Sequence, residues 1–174
     1  MNATRASLSP SGSERRSARL VPPTGFWLGG TIAWSIAMAL SFQLSVHIFG
    51  RATSSHDVAL TLIYAAGGML GWFLALPLIH LTSHRRPPQT VLAAWLLLLG
   101  LVTVGATAGV YALHYRTLYA HWHAPFPSRI WVYQQIFTTA SALYQFAVLG
   151  VRHLLPAGLA LLMVVSVVMA RRSR

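Results

Sequence analysis

The chain has 174 residues, of which 55% are hydrophobic and only 9% are charged. Soluble domains carry about 25% charged residues, so this composition excludes an ordinary soluble domain. Several apolar runs exceed the roughly 18 residues that a membrane-spanning helix needs. The formal net charge is +11, from 13 arginines and two acidic residues.

The arginines lie in tails and loops beside the apolar runs. This placement indicates orientation in the membrane and contact with anionic lipid head groups, rather than nucleic-acid binding. The chain has no cysteine. Disulfides, thiolate nucleophiles and cysteine-type metal sites are therefore excluded.

Residues 1–24 are rich in serine, proline and arginine and have too few apolar side chains to form a core. We expect a disordered, basic, cytoplasmic tail that precedes an uncleaved membrane anchor. Residues 25–174 form the predicted membrane bundle. Its four predicted spans are Phe26–Phe49, Val58–Leu81, Val91–Tyr111 and Leu149–Ala170.

Two of these spans carry a pair of glycines four residues apart. Gly67 and Gly71 lie in the second span, and Gly105 and Gly109 lie in the third. Small residues at this spacing let membrane helices approach closely. The pattern predicts that the two helices pack along these faces as an antiparallel pair.

The connection after the third span is predicted to lie on the outer side and to cover Tyr111–Gln135. The location of the segment that begins near its end, Ile130–Val148, is ambiguous. Its polar residues recur at helical spacing and form a stripe, namely Gln134, Thr138, Ser141 and Gln145. The stripe predicts either an interfacial amphipathic helix or a fifth span whose polar side faces the bundle.

Arginine distribution favours four spans over five. With four spans, nine arginines lie inside (5, 15, 16, 19, 85, 86, 171, 172 and 174) and four outside (51, 116, 129 and 152). Five spans would leave seven inside and six outside. Because inner loops carry the arginine excess, we predict an all-α polytopic bundle of four transmembrane helices plus an outer amphipathic helix, with five spans as the alternative.

Histidines supply the candidate ligand sites. His114, His121 and His123 could bind zinc or copper, and His80 and His84 have the spacing of a chelating pair on a helix. His47, His114 and His153 are candidate ligands for haem b or a quinone. The alternative interpretation of these histidines is that their amphipathic rings favour the head-group layer, as aromatic rings do.

The polar stripe could also line a path for a quinone, a lipid head group or another anionic ligand. Its candidate residues are Gln134, Thr138, Ser141, Gln145 and Arg152. Polar side chains inside a membrane are costly and are functional candidates for that reason. The alternative is that Arg152 extends to the outer head groups.

Enzymatic chemistry finds little support in the sequence. Paired-carboxylate catalysis is excluded because the only acids are Glu14 and Asp57, and nucleotide-binding glycine motifs are absent. We therefore expect a non-enzymatic accessory, assembly or structural subunit of a bacterial inner-membrane complex. Its expected partners are lipids and an acidic membrane protein. The alternatives are a haem- or quinone-binding redox subunit and, less favoured, a small transporter or lipid-handling protein.

Overall fold

A computed structural model of the chain describes residues 23–51, 56–84 and 86–173, so residues 1–22 of the predicted tail, 1–24, lie outside the described part. The described residues form helices and no strand. The helices are α1 Thr24–His47, α2 Asp57–Ser83, α3 Pro88–Trp122, α4 Arg129–Leu154 and α5 Ala157–Arg172. The prediction of an all-α membrane helix bundle is confirmed.

The helices α1, α2 and α3 are each long and apolar enough to cross a membrane. The pair α4 and α5 passes the same test only together, as one span bent by 66°. Length and composition therefore give three spans, or four with the bent pair, within the described residues. Five spans do not follow from these helices.

Below, the end where α1 ends and α2 begins is called the outer end of the bundle, and the opposite end is the inner end. α1 and α2 run antiparallel, with Ser35 Oγ donating to the Ala65 carbonyl at 2.8 Å. The core between them is aromatic at the inner end, where the Trp72 ring lies 6.2 Å from Trp34 and 5.4 Å from Trp95.

The glycine pair of α2 packs against α3 as predicted, but the face of α3 that it meets is different. A Cβ added at Gly67 would lie 2.6 Å from the Thr107 Cα, and one at Gly71 would lie 2.8 Å from the Thr103 Cα. Gly105 has nothing within 4 Å of such a Cβ, and neither does Gly109. The predicted contact through these two glycines is therefore wrong, because Thr103 and Thr107 occupy that contact.

α3 extends well beyond the predicted span. It continues to Trp122 and has 35 residues, or about 52 Å of helix. Most of the predicted outer connection is therefore helical, and residues 123–128 separate α3 from α4. α4 then runs back along α3, beginning at Arg129.

The predicted fourth span, Leu149–Ala170, is not one helix. Its first residues belong to α4, and Leu155 is extended, with φ −111° and ψ 138°. The residue before a proline is pushed out of the helical region by the proline ring, and Pro156 follows here. Pro156 is tolerated just ahead of the first turn of α5, where no N–H is needed.

Candidate functional site

The junction between α4 and α5 is the most irregular part of the bundle. α4 widens into a π-helical turn at Phe146–Gly150 and then tightens into a 3₁₀ turn at Val151–Leu154. Such turns, and the helix end that follows, leave carbonyl groups without their usual α-helical partners. In a membrane each of those groups needs another donor.

α1 and α2 supply two of these donors. The Tyr64 hydroxyl donates to the Gly150 carbonyl at 2.6 Å. The Ser41 hydroxyl donates to the His153 carbonyl at 3.1 Å. The junction is thus tied to both helices by side-chain hydrogen bonds, which hold the bend in one position.

Arg51 supplies the third tie, from the segment after α1. Its guanidinium Nη1 donates to the Leu155 carbonyl at 2.7 Å and also to the Arg152 carbonyl. A guanidinium carries several donors in a fixed plane, so one side chain can satisfy two carbonyls. The positive charge also suits the carboxyl end of a helix.

His153 is buried at this junction, with 4% of its surface exposed. Its Nδ1 lies 3.0 Å from the Ser45 Oγ, and its ring centroid lies 5.2 Å from that of Phe42. A buried imidazole normally needs such a partner, because an unpaired polar group costs free energy. These contacts give His153 a packing role between α1 and α4.

A small apolar cavity lies below the bend, between α1, α3 and α5, with a volume of ≈ 100 Å³. Ligand pockets usually measure about 300–1,000 Å³. Trp34, on its wall, uses its indole N–H to donate to the Thr103 Oγ1 at 3.0 Å. The cavity is too small for haem or a quinone ring with its tail.

The predicted haem or quinone ligands lie on three different helices. His47 is exposed at the end of α1, His114 is partly buried on α3, and His153 is buried at the bend. Throughout residues 23–51, 56–84 and 86–173, no three histidine or acidic side chains come together as a metal-binding group. This applies equally to the proposed His114, His121 and His123 site.

His121 and His123 make separate contacts near the start of α4. The His121 ring lies 3.9 Å from that of Trp122. The His123 Nδ1 lies 2.7 Å from the Gln135 Nε2, and its Nε2 lies 3.2 Å from the Thr138 Oγ1. Both nitrogens of His123 are therefore engaged in packing α4 against the end of α3.

Three of the four residues of the polar stripe of α4 make hydrogen bonds to α3 or to the segment that follows it. The Gln145 side chain accepts from the Tyr111 hydroxyl and donates to the Tyr115 hydroxyl, both at 3.2 Å. The Gln134 Oε1 accepts from the Ala124 N–H at 2.8 Å. Ser141 is exposed.

Arg152, the last residue of the predicted path, is exposed, and its carbonyl accepts from Arg51.

The tyrosines of α3 that meet Gln145 are not among the residues predicted from the sequence. Tyr111, Tyr115 and Tyr119 recur every four residues, which would place them on one face of a helix. Because the segment was interpreted as a connection, this signal was missed.

Replacing Gln145 by leucine is expected to weaken the contact between α3 and α4. The leucine would leave two tyrosine hydroxyls without their partner, at a cost of about 1 kcal/mol in the free energy of unfolding. Ser141→Leu is the matched control, because Ser141 is exposed on the same helix. Denaturant unfolding in detergent measures both; equal stabilities would contradict the packing role of Gln145.

At the inner end a wide cleft of ≈ 580 Å³ opens between the start of α1, the end of α2, the start of α3 and the end of α5. His80 and His84, the predicted chelating pair, both line it. Arg172 lies on the opposite wall, on α5. The cleft therefore combines two imidazoles with a guanidinium rather than with a third metal ligand.

Comparison of the chain with protein-family models, with characterised proteins and with solved structures finds no match.

Proposed function

We propose that the chain is a non-enzymatic accessory subunit of a membrane-protein complex and that it attaches to its partner through the outer half of α4. The observation that carries this proposal is the exposed face of that helix. Tyr133, Phe137 and Tyr144 are 62%, 68% and 70% exposed. Aromatic side chains are enriched at protein interfaces, and an exposed apolar patch of this kind marks an interaction surface.

The spacing of these residues gives α4 two distinct faces. Ile130, Tyr133, Phe137 and Tyr144 follow the three- and four-residue spacing of one helical stripe. The glutamines that bond to α3 and to the segment after it, Gln145 and Gln134, lie outside this stripe. Since α4 already uses its polar side inside the chain, the aromatic side is the one left for a partner.

The outer half of α4 also extends beyond α1 and α2. Arg129 precedes Gln145 by 16 residues, or about 24 Å of helix. Gln145 lies level with Tyr111 and Tyr115, near the outer end of α2. Lipid around the bundle would therefore cover only part of the aromatic face. This favours a partner protein on the part that extends beyond α1 and α2.

Charge indicates the chemistry of the partner. Arg116 and Arg129 are exposed at the outer end, and Arg129 is the first residue of α4. The one acidic residue among the described residues is Asp57. A membrane protein with acidic side chains at this level would complement the charge, whereas a second copy of the chain would be repelled.

We place the chain in the bacterial inner membrane as a multi-pass protein with a cytoplasmic N-terminus. The inner end then carries the larger share of the arginines, as the positive-inside rule requires. The hypotheses of a haem- or quinone-binding subunit and of a transporter stay predictions.

A photo-crosslinking amino acid at Phe137 is expected to capture an acidic membrane protein in intact cells. The matched control places the same group at Leu40, which is 62% exposed on the lipid-facing side of α1. We expect the adduct at position 137 to be lost in an Arg116→Gln, Arg129→Gln variant, because the complementary charges are gone. Mass spectrometry identifies the captured chain.

Two results would contradict this proposal: adducts of equal yield from positions 137 and 40, or an adduct at 137 that contains only a second copy.

Single cysteine substitutions test the orientation, because the native chain has no cysteine. Thr117→Cys, which is exposed at the outer end of α3, should react with an impermeant maleimide on intact cells, and Ser173→Cys should not. The opposite pattern would overturn the orientation.

A further inference from the structure

The cleft at the inner end has a polar rim, which includes a buried hydroxyl that the described part of the chain leaves without a hydrogen-bond partner. The Ser83 Oγ is buried and has no hydrogen-bond partner among the described residues. Buried hydroxyls are normally paired, so Ser83 has an unused donor that a ligand in the cleft can accept from after a change of side-chain rotamer. His84 and Arg172 line the same cleft, and both side chains can donate hydrogen bonds.

The cleft also has an apolar wall. Phe26, Val91, Trp95 and Met169 line it, from α1, α3 and α5. Trp95 begins the π-helical turn of α3, and its ring packs 5.4 Å from that of Trp72. The cleft thus has a donor-rich rim and an apolar wall, which matches a molecule with a charged head and a hydrocarbon tail.

The electrostatics of this end favour an anion. Arg86, Arg171 and Arg172 are all exposed there. Asp57, the acid present in the described part of the chain, starts α2 at the opposite end. An anionic ligand would meet several cations and no competing carboxylate from the described helices.

We propose that this cleft binds one anionic phospholipid. The phosphate accepts hydrogen bonds from Arg172, His84 and the Ser83 hydroxyl, and an acyl chain lies against Trp95 and Met169. Basic pockets between membrane helices on the cytoplasmic side are suited to such head groups, because the facing leaflet is negatively charged. The site is separate from the outer face of α4 and does not depend on the partner proposed there.

Native mass spectrometry of the full chain, purified in neutral detergent and stripped of lipid, tests the proposal. Titration with phosphatidylglycerol should give a single bound lipid, held at least about tenfold more tightly than phosphatidylcholine, because only the former carries a net charge. Arg172→Gln with His84→Asn should weaken this binding about tenfold. Ser83→Ala alone should weaken it about threefold.

Arg171→Gln is the matched control, because Arg171 is the neighbouring exposed arginine and does not line the cleft. Equal losses from Arg171→Gln and Arg172→Gln would reduce the effect to general charge attraction and overturn the site. Inorganic phosphate that binds as tightly as the lipid would overturn the lipid assignment. Unfolding temperatures without lipid verify that each variant is folded.

Discussion

Gly67→Ala is expected to lower the free energy of unfolding by about 2–3 kcal/mol, because the new methyl group has no room between α2 and α3. Its Cβ would lie 2.1 Å from the Thr107 Oγ1 and 2.6 Å from the Thr107 Cα. Rotation of the Thr107 side chain cannot relieve the clash of the new methyl group with the Thr107 Cα, because that atom belongs to the backbone. The helices must move apart, which weakens the packing that holds membrane helices together. Reversible unfolding in mixed detergent micelles measures the change.

Gly105→Ala provides the control for this prediction. No atom lies within 4 Å of a Cβ added at Gly105, so the methyl group meets open space. Alanine is also the better helix former by about 0.5–1 kcal/mol. We expect unchanged or slightly higher stability. If Gly67→Ala were as stable as Gly105→Ala, the contact between Gly67 and Thr107 would be wrong.

Arg51→Met is expected to destabilise the bend between α4 and α5 by about 2 kcal/mol. The methionine keeps a flexible apolar stem but removes the donors to the Arg152 and Leu155 carbonyls. Hydrogen bonds to charged groups contribute about 1.5–3 kcal/mol, and the lower part of that range applies because Arg51 is partly exposed. Faster proteolysis near Leu155 and a lower unfolding temperature are the measurements.

Arg116→Met makes the same change of charge at the same end of the bundle. Arg116 is exposed on α3, so this substitution should leave the free energy of unfolding within about 0.5 kcal/mol of the native value. Equal destabilisation by the two substitutions would assign the effect to outer-side charge. The role of Arg51 in holding the bend would then be refuted.

The polar stripe of α4 illustrates how far periodicity leads. The spacing of Gln134, Thr138 and Gln145 correctly places them on one side of a helix, and the structure has that helix. Periodicity could not identify what the stripe faces. Gln145 meets two tyrosines of α3, whereas Gln134 and Thr138 meet the segment that follows α3. These partners lie beside α4 only because α3 continues past its predicted span to Trp122.

The histidines illustrate the opposite limit. The three histidines at positions 114, 121 and 123 are close in the sequence, yet they do not form one metal-binding group, and His121 and His123 contact different residues. His153 is the buried one, and its partner Ser45 lies 108 residues earlier. Sequence proximity cannot reveal such a pair, because the contact forms only after α1 and α4 pack together.

The sequence by itself determined the membrane class and the approximate positions of the first helices, because these depend on the length of apolar runs. It did not determine the interruption at Pro156, since Leu149–Ala170 is long and apolar enough to be predicted as one span. The sequence also identified the glycine face of α2. Only the tertiary structure decided that this face meets Thr103 and Thr107 rather than Gly105 and Gly109. In a membrane, lipid and protein are both apolar, so hydrophobicity does not indicate which face of a helix meets its neighbour, and close packing alone makes that choice.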